Sequence, residues 1–387
     1  MRPLRPTLLV GALLAAACSD QSPIASAPAS VADLAPLHAA AGAALPESYI
    51  VVLREGADPR AVAAAAGVSP RHVYQNVLNG FAATLSARQL DALRRAPGVE
   101  YVEQDQVMTA ATAQSNAPWG LDRIDQRYLP LDGIYNYNAT ASTIRAYILD
   151  TGLQADHPEF EGRAQNVYNA ISGETGSDCN GHGTHVGGIV GAKTYGVAKK
   201  AQLRGVKVLN CSGSGSTSGI IAAVDWVKAN AVKPAVANMS LGGGLSSSLN
   251  TSVNNLANSG VFVAVAAGNS NADACNYSPA SASAAFTTAA TNSDDTRRST
   301  SNYGSCVDGY APGGSITSTW INSGTNTTSG SSMASPHVAG TAALYKATYG
   351  DVASSTIDSW IKNNATTGVV INNPSGTPNR LLFKSTL

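Results

Sequence analysis

The chain has 387 residues, 25 basic and 25 acidic side chains, no formal net charge and 44% apolar residues. That balance leaves no electrostatic footprint for nucleic acid, and the apolar share is too high for a disordered chain. Only 13% of residues are charged and 37 are glycine, which suits a tightly packed, exported α/β protein.

Residues 1–18 carry Arg2 and Arg5, the apolar run LLVGALLAAA and then Cys18, the pattern of an export signal. Ala15-Ala16-Ala17 supplies small residues for cleavage. A cysteine directly after them resembles a bacterial lipoprotein box, although that box prefers Leu where Ala15 stands. A precursor lipid-anchored through Cys18 and an ordinary signal with an incidental cysteine both remain open. The run is shorter than the ~20 residues that span a bilayer. Export sets the expectation for Cys179, Cys211, Cys275 and Cys306, which is disulfides. Four cysteines allow three connectivities, and the nearest-neighbour scheme, Cys179 with Cys211 and Cys275 with Cys306, is the expected one.

Residues 19–46, rich in Ala, Ser and Pro, read as a linker. Residues 47–109 read as a small α+β domain of order β-α-β-β-α-β. Its strands are SYIVVL, RHVYQNV, GFAATL and VEYVEQD; its helices are DPRAVAAAAG and SARQLDALRRAPG, the second capped by Ser86. A unit of this size without a disulfide is marginal alone and calls for a partner surface. Residues 110–118 are small, polar and unpatterned, the kind of segment a protease cuts.

Over 119–387, strands such as TIRAYILD, LRGVKVL, AVANMSL and VFVAVAAGN alternate with helical stretches. This predicts an α/β fold with a mostly parallel sheet and helices on both faces. Ligands collect outside the carboxyl ends of such strands. Asp150 ends one strand, Asn269 follows another, and Ser332 opens the run into a helix.

A serine hydroxyl needs a base, and an imidazole serves if a carboxylate fixes its tautomer. His182 lies between Gly181 and Gly183 in NGHGTHVGG, which lets backbone approach closely at a helix start. His185, one turn on, packs or caps, and His337 faces a packed interior. Taken singly, Asp150 is a turn residue, AAGN a turn and Ser335 before Pro336 an N-cap. GSGSTSG over 213–219 lacks the lysine of a phosphate loop, and HGTH is not the HExxH of a zinc hydrolase.

Together, ILDTGL, NGHGTHVGG, SLGG, AAGNSNADACNYSPAS and GSSMASPHVAG, in that order, resemble the subtilisin-like serine proteases. NAPWGLDRID, SDCNGHGTH and GTPNRLLF resemble the proteinase K and aqualysin branch, and residues 47–109 resemble that family's inhibitor-type propeptide. The resemblance implies Ser332 as nucleophile, His182 as base, Asp150 as its buried partner and Asn269 as an oxyanion donor. It implies that Gly213-Ser214-Gly215 and Ser240-Leu241-Gly242 sandwich a peptide, and that Ala266, Ala267 and Gly268 wall the pocket for the residue before the cut bond. With no acidic residue in these segments, apolar or aromatic side chains are the implied preference. It further implies calcium at Asp308 and at a second loop of Asp122, Asp125, Gln126 and Asp132, where Ile134 replaces an oxygen ligand. Ser331 stands where the family usually has Thr, and Gly187 where it usually has Ala. The expectation is a secreted, monomeric endopeptidase acting on polypeptides and held by its own propeptide; the alternative is a catalytically silent peptide-binding protein on the same fold.

Overall fold

The computed structural model describes residues 34–40, 44–107 and 112–387, in two compact units that divide between Gln106 and Val107. The export signal and Cys18 lie outside the described residues.

The first unit is a five-stranded sheet of order β1-β5-β2-β4-β3, formed by Leu37–His38 (β1), Ala44–Leu53 (β2), His72–Tyr74 (β3), Gly80–Thr84 (β4) and Val99–Gln106 (β5). Two helices pack on it, Pro59–Ala65 (α1) and Ala87–Arg94 (α2). Asp58 caps α1 with Pro59 just behind it, and Ser86 forms a capping box with Gln89. The core is Val51, Leu53, Phe81, Leu85, Leu93 and Val102 with their neighbours. The linker expected over 19–46 is corrected here. Leu37–His38 pairs in parallel with β5, Ala35 is buried, and β2 already begins at Ala44. Composition hides this because β5 offers a free edge: the Val102 N–H donates to Pro36 O at 2.9 Å.

The second unit begins with Thr112–Ser115 (β6), which pairs antiparallel with Ile134–Tyr137 (β7), so the segment expected to be unpatterned over 110–118 contains a strand. Between them Trp119–Asp125 forms α3. The main sheet uses Arg145–Asp150 (β8), Ala164–Asn169 (β9), Gln202–Lys207 (β10), Ala235–Met239 (β11), Phe262–Ala266 (β13), Phe286–Thr291 (β15) and Gly309–Pro312 (β16). Thr366–Thr367 (β19) and Arg380–Leu381 (β20) finish one edge, giving the order β19-β20-β16-β15-β13-β11-β8-β10-β9. Every neighbouring pair is parallel except the terminal β19–β20. Smaller pairs are Gly243–Gly244 (β12) with Tyr277–Ser278 (β14), and Ile316–Trp320 (β17) with Gly324–Thr328 (β18).

Strand β8 shows why two layers of helix are needed. Ala146 and Ile148 join one core, shared with His182–Gly191 (α4), Ser331–Tyr349 (α7) and Ser354–Asn364 (α8). Tyr147 and Leu149 join the other, against Thr217–Asn230 (α5) and Ser247–Asn258 (α6). Successive side chains alternate faces, so a strand apolar at every position must be covered twice. The α/β architecture with a mostly parallel sheet is therefore as expected. The chain turns to opposite sides of β8, toward β10 and toward β11, and the crevice above that switch point holds the site. Among the described residues no helix is long and apolar enough to cross a membrane.

Candidate active site

Asp150 ends β8 fully buried. Its Oδ1 accepts the Thr151 N–H at 2.8 Å and lies 2.7 Å from His182 Nδ1. Its Oδ2 is buried without a hydrogen-bond partner among the described residues, so the imidazole is the group that answers its charge. This fixes the proton on Nδ1 and leaves Nε2 as the basic nitrogen. Burial alone would depress the His182 ring; the charge and hydrogen bond of Asp150, with the charge of Asp178 behind, hold it above the ordinary histidine value.

His182 is the first residue of α4, and the flanking glycines are demanded by space. Gly181 has φ +108°, and a Cβ there would lie 2.3 Å from the Trp320 ring; one on Gly183 would lie 2.1 Å from Gly152 O.

Ser332 occupies the first turn of α7, where unpaired N–H groups favour a developing negative charge. Its Oγ donates to Ser240 O at 3.3 Å, and Ser240 Oγ donates to Ser332 O at 2.7 Å. Among the described residues no hydrogen bond joins Ser332 to His182; contacts of this type are commonly loose before substrate binds. The helix runs unbroken through Pro336. Ser335 caps nothing, being buried and donating to Asn238 Oδ1 at 2.7 Å.

Asn269 follows β13, and its Oδ1 accepts the Ser331 N–H at 2.8 Å, which leaves the Nδ2 amide as the outward donor. Ser331 Oγ in turn accepts the Gly268 N–H at 3.0 Å, so the serine found here keeps the needed hydroxyl.

A cleft of about 620 Å³ gathers these groups. His182, Ser332 and Asn269 line it, together with all nine residues expected to contact substrate: Gly213, Ser214, Gly215, Ser240, Leu241, Gly242, Ala266, Ala267 and Gly268. Leu209, Ile220, Leu249 and Tyr277 also line it and were not foreseen. They come from separate helices and loops, so only the fold unites them. No carboxylate is among the lining residues.

The other histidines are spent on structure. His185 Nε2 donates to the carbonyls of Ile316 and Asn326, both at 3.1 Å, and burial pulls its value down to about 4. His337 Nδ1 donates to Met333 O at 2.8 Å, and burial brings it to about 4 as well. The two expected disulfides are formed, Cys179–Cys211 and Cys275–Cys306. Glu174 stands beside the first, but sulfurs already bonded to each other are no metal ligands.

The two expected calcium positions differ. Asp308 Oδ2 accepts the Thr287 N–H at 2.7 Å and Oδ1 pairs with Lys362 Nζ at 2.8 Å, while Lys362 also pairs with Asp358 at 2.9 Å. Lys362, shared between two carboxylates, thus holds Asp308, whose value burial raises. The loop of Asp122, Asp125, Gln126 and Asp132 fits better. Asp122 is 2% exposed and its Oδ1 is buried with no hydrogen-bond partner among the described residues, while Oδ2 accepts the Gly133 N–H. Burial raises both Asp122 and Asp125, and neighbouring carboxylates add to this, Asp132 beside Asp122 and Asp122 beside Asp125. Packed, underpaired carboxylate oxygens suit a hard cation. Gln126 is turned into its own loop, Nε2 donating to Pro130 O and Oε1 accepting from the Asp132 N–H.

Residues 145–381 match the subtilase family, and residues 48–111 match peptidase inhibitor I9. An extracellular serine proteinase of Thermus sp. (strain Rt41A) is 48% identical over 97% of this chain and 98% of that protein. Proteinase R of Parengyodontium album is 46% identical over 99% of each. The crystal structure of a cold adapted subtilisin-like serine proteinase, 51% identical, covers 70% of this chain and 99% of that one with a TM-score of 0.69. The chain belongs to the subtilase family, with an inhibitor I9 domain ahead of the peptidase body.

Proposed function

We propose that Ser332, His182, Asp150 and Asn269 carry the chemistry of this subtilisin-like serine endopeptidase. Ser332 Oγ attacks the scissile carbonyl carbon while His182 Nε2 takes its proton. The carbonyl π electrons move to oxygen, and the Asn269 Nδ2 amide and the Ser332 N–H receive that oxyanion. The imidazolium, stabilised by Asp150, then gives its proton to the leaving amine as the C–N bond breaks. Water, activated by the same ring, hydrolyses the acyl-serine. The observation that carries this reading is the 2.7 Å contact between a buried, otherwise underpaired carboxylate and a histidine in the same cleft as Ser332.

The substrate is a polypeptide in extended form, its backbone pairing with Gly213–Gly215 and Ser240–Gly242. Ala266, Ala267 and Gly268, with the carboxylate-free lining, favour an apolar or aromatic residue before the cut bond. The I9 domain is the chain's own inhibitor, and cleavage within 110–118 is self-processing by a monomer. Secretion follows the relatives named as extracellular; Cys18 plays no part in this reading. Calcium, if bound, is held at Asp122, Asp125 and Asp132 and stiffens the N-terminal loop of the peptidase.

A serine-directed phosphonate tests the assignment: it labels Ser332, and labelling elsewhere, or none in folded enzyme, refutes it and favours a silent peptide-binding protein. Ser332→Ala leaves the precursor uncut; normal trimming in that variant excludes self-processing.

A further inference from the structure

We propose that Asp178, which does not touch the substrate cleft, is a positioning residue of the active site: it locks the loop after Asp150 to both sides of His182 and supplies a second negative charge to that ring. The proposal rests on the assignment of His182 as the base.

Asp178 accepts five hydrogen bonds. Oδ1 receives Thr151 Oγ1 at 2.8 Å and the N–H groups of Asn180 and Gly181, each at 2.9 Å. Oδ2 receives the Thr184 N–H at 2.9 Å and Thr184 Oγ1 at 2.6 Å. Each partner is itself placed. Thr151, which follows Asp150, accepts the Gly183 N–H on Oγ1 at 2.9 Å, and Thr184 Oγ1 accepts the Gln154 N–H at 2.9 Å. Residues 181, 183 and 184 around His182 are therefore tied, directly or through the Asp178 carboxylate, to residues 151 and 154 beyond Asp150. Thr151 and Thr184 are both fully buried, and Asp178 is partly buried between them. On the far side the loop is fastened by the Cys179–Cys211 disulfide and by Asn180 Nδ2, which donates to Cys211 O at 2.9 Å.

Such a lattice fixes two torsional freedoms that catalysis needs fixed, the setting of the imidazole and that of the carboxylate opposite it. A misplacement of about 1 Å at a site of this kind costs on the order of 100-fold. The charge acts separately from the geometry. The imidazolium that forms when Ser332 loses its proton has Asp150 on Nδ1, and the Asp178 charge acts on it without a hydrogen bond to the ring; His185, a further titratable neighbour, is neutral because burial holds it at about 4. Asp178 thus favours the charged ring in the transition state without touching substrate.

The two contributions separate in a pH profile of enzyme purified after expression of the full chain. Asp178→Asn removes the charge and part of the hydrogen bonding. Its kcat is expected to fall about 10- to 100-fold, with KM changed less than about threefold. At the same time the acid limb of kcat/KM moves to lower pH, because the ring that must be neutral loses an anion that favours its protonation. Asp178→Glu restores the charge but not the lattice, so the acid limb returns while kcat stays low. Thr151→Val cuts the link and keeps the charge: kcat falls and the limb stays in place. If Asp178→Asn does not accumulate as folded protein, the last two variants test the lattice by themselves: unchanged kcat in both overturns the positioning role. An unmoved acid limb and unchanged kcat in folded Asp178→Asn, with Ser332 still labelled by phosphonate, overturn the positioning role alone. Loss of phosphonate labelling at Ser332 in the parent enzyme overturns the underlying assignment instead.

Discussion

The first turn of α4 and the middle of α7 each hold a histidine in the same helical layer, yet the two rings have opposite fates. The His182 side chain is 28% exposed, stands at a helix start and meets a buried carboxylate, so it is held above the ordinary histidine value. His337 lies inside a helix, is 1% exposed and meets only a backbone carbonyl, so burial keeps it neutral to about pH 4. A ring poised for proton transfer needs an anion and access together. Closeness in sequence to the nucleophile gives neither: His337 is five residues from Ser332 and serves packing, whereas His182 comes from a separate helix.

The largest effect expected from breaking this contrast is on turnover. His182→Ala lowers kcat on a peptide substrate by about 10⁴-fold or more, whereas His337→Gln leaves it within about tenfold and instead costs ~1–3 kcal/mol of stability. Equal losses of turnover in the two would erase the distinction. Next is Asn269→Ala, for which kcat falls roughly 100- to 1000-fold, the range known for such a donor in subtilisin, while KM moves little. A matching rise in KM would mean that Asn269 binds substrate rather than the oxyanion.

Acid sharpens the comparison through stability. His185 and His337 titrate at about 4 in the folded chain and at about 6.5 when unfolded. Between those values the unfolded chain binds more protons, so stability falls as pH drops from about 6.5 toward 4, on the order of 3 kcal/mol for each ring. His182 acts in the opposite sense: its raised value adds stability below the unfolded value, which is lost as pH rises through the folded one. Thermal unfolding of phosphonate-inhibited enzyme across this range checks the sum; a midpoint independent of pH contradicts it. The smallest effect is that of chelation. Removing calcium lowers stability through the Asp122 loop, by about 3 kcal/mol from 100 times Kd, read as a lower unfolding midpoint. Asp122→Asn abolishes that response, and a response that survives there returns the metal to Asp308.

Much of the site was legible because its chemistry is carried by short strings. Glycines around His182, a strand-ending Asp150 and an Asn after β13 each reflect a local steric or polar demand that sequence alone records. Asp178 was missed although it precedes His182 by only four residues: four of its five bonds stay within six residues, and the one that reaches the loop after Asp150 runs to Thr151, 27 residues earlier. Its one local signal was an acidic residue ahead of a helix start, a common cap. The ion pair at Asp308 was hidden for the same reason: the lysine on its carboxylate comes from α8, 54 residues later. The pairing of Leu37–His38 was hidden because an edge strand is chosen by its neighbour rather than by its own composition.

By itself, the sequence determined the layered α/β architecture and the residue types available for catalysis, since these follow from periodicity and motif, and it left the disulfides as one favoured pairing among three. The tertiary structure decided which histidine meets a carboxylate, which cation answers each buried acid and which apolar side chains close the cleft. Those outcomes depend on distances of about 3 Å between residues tens to hundreds apart in sequence, and burial and charge at that range change with every neighbour the fold brings in.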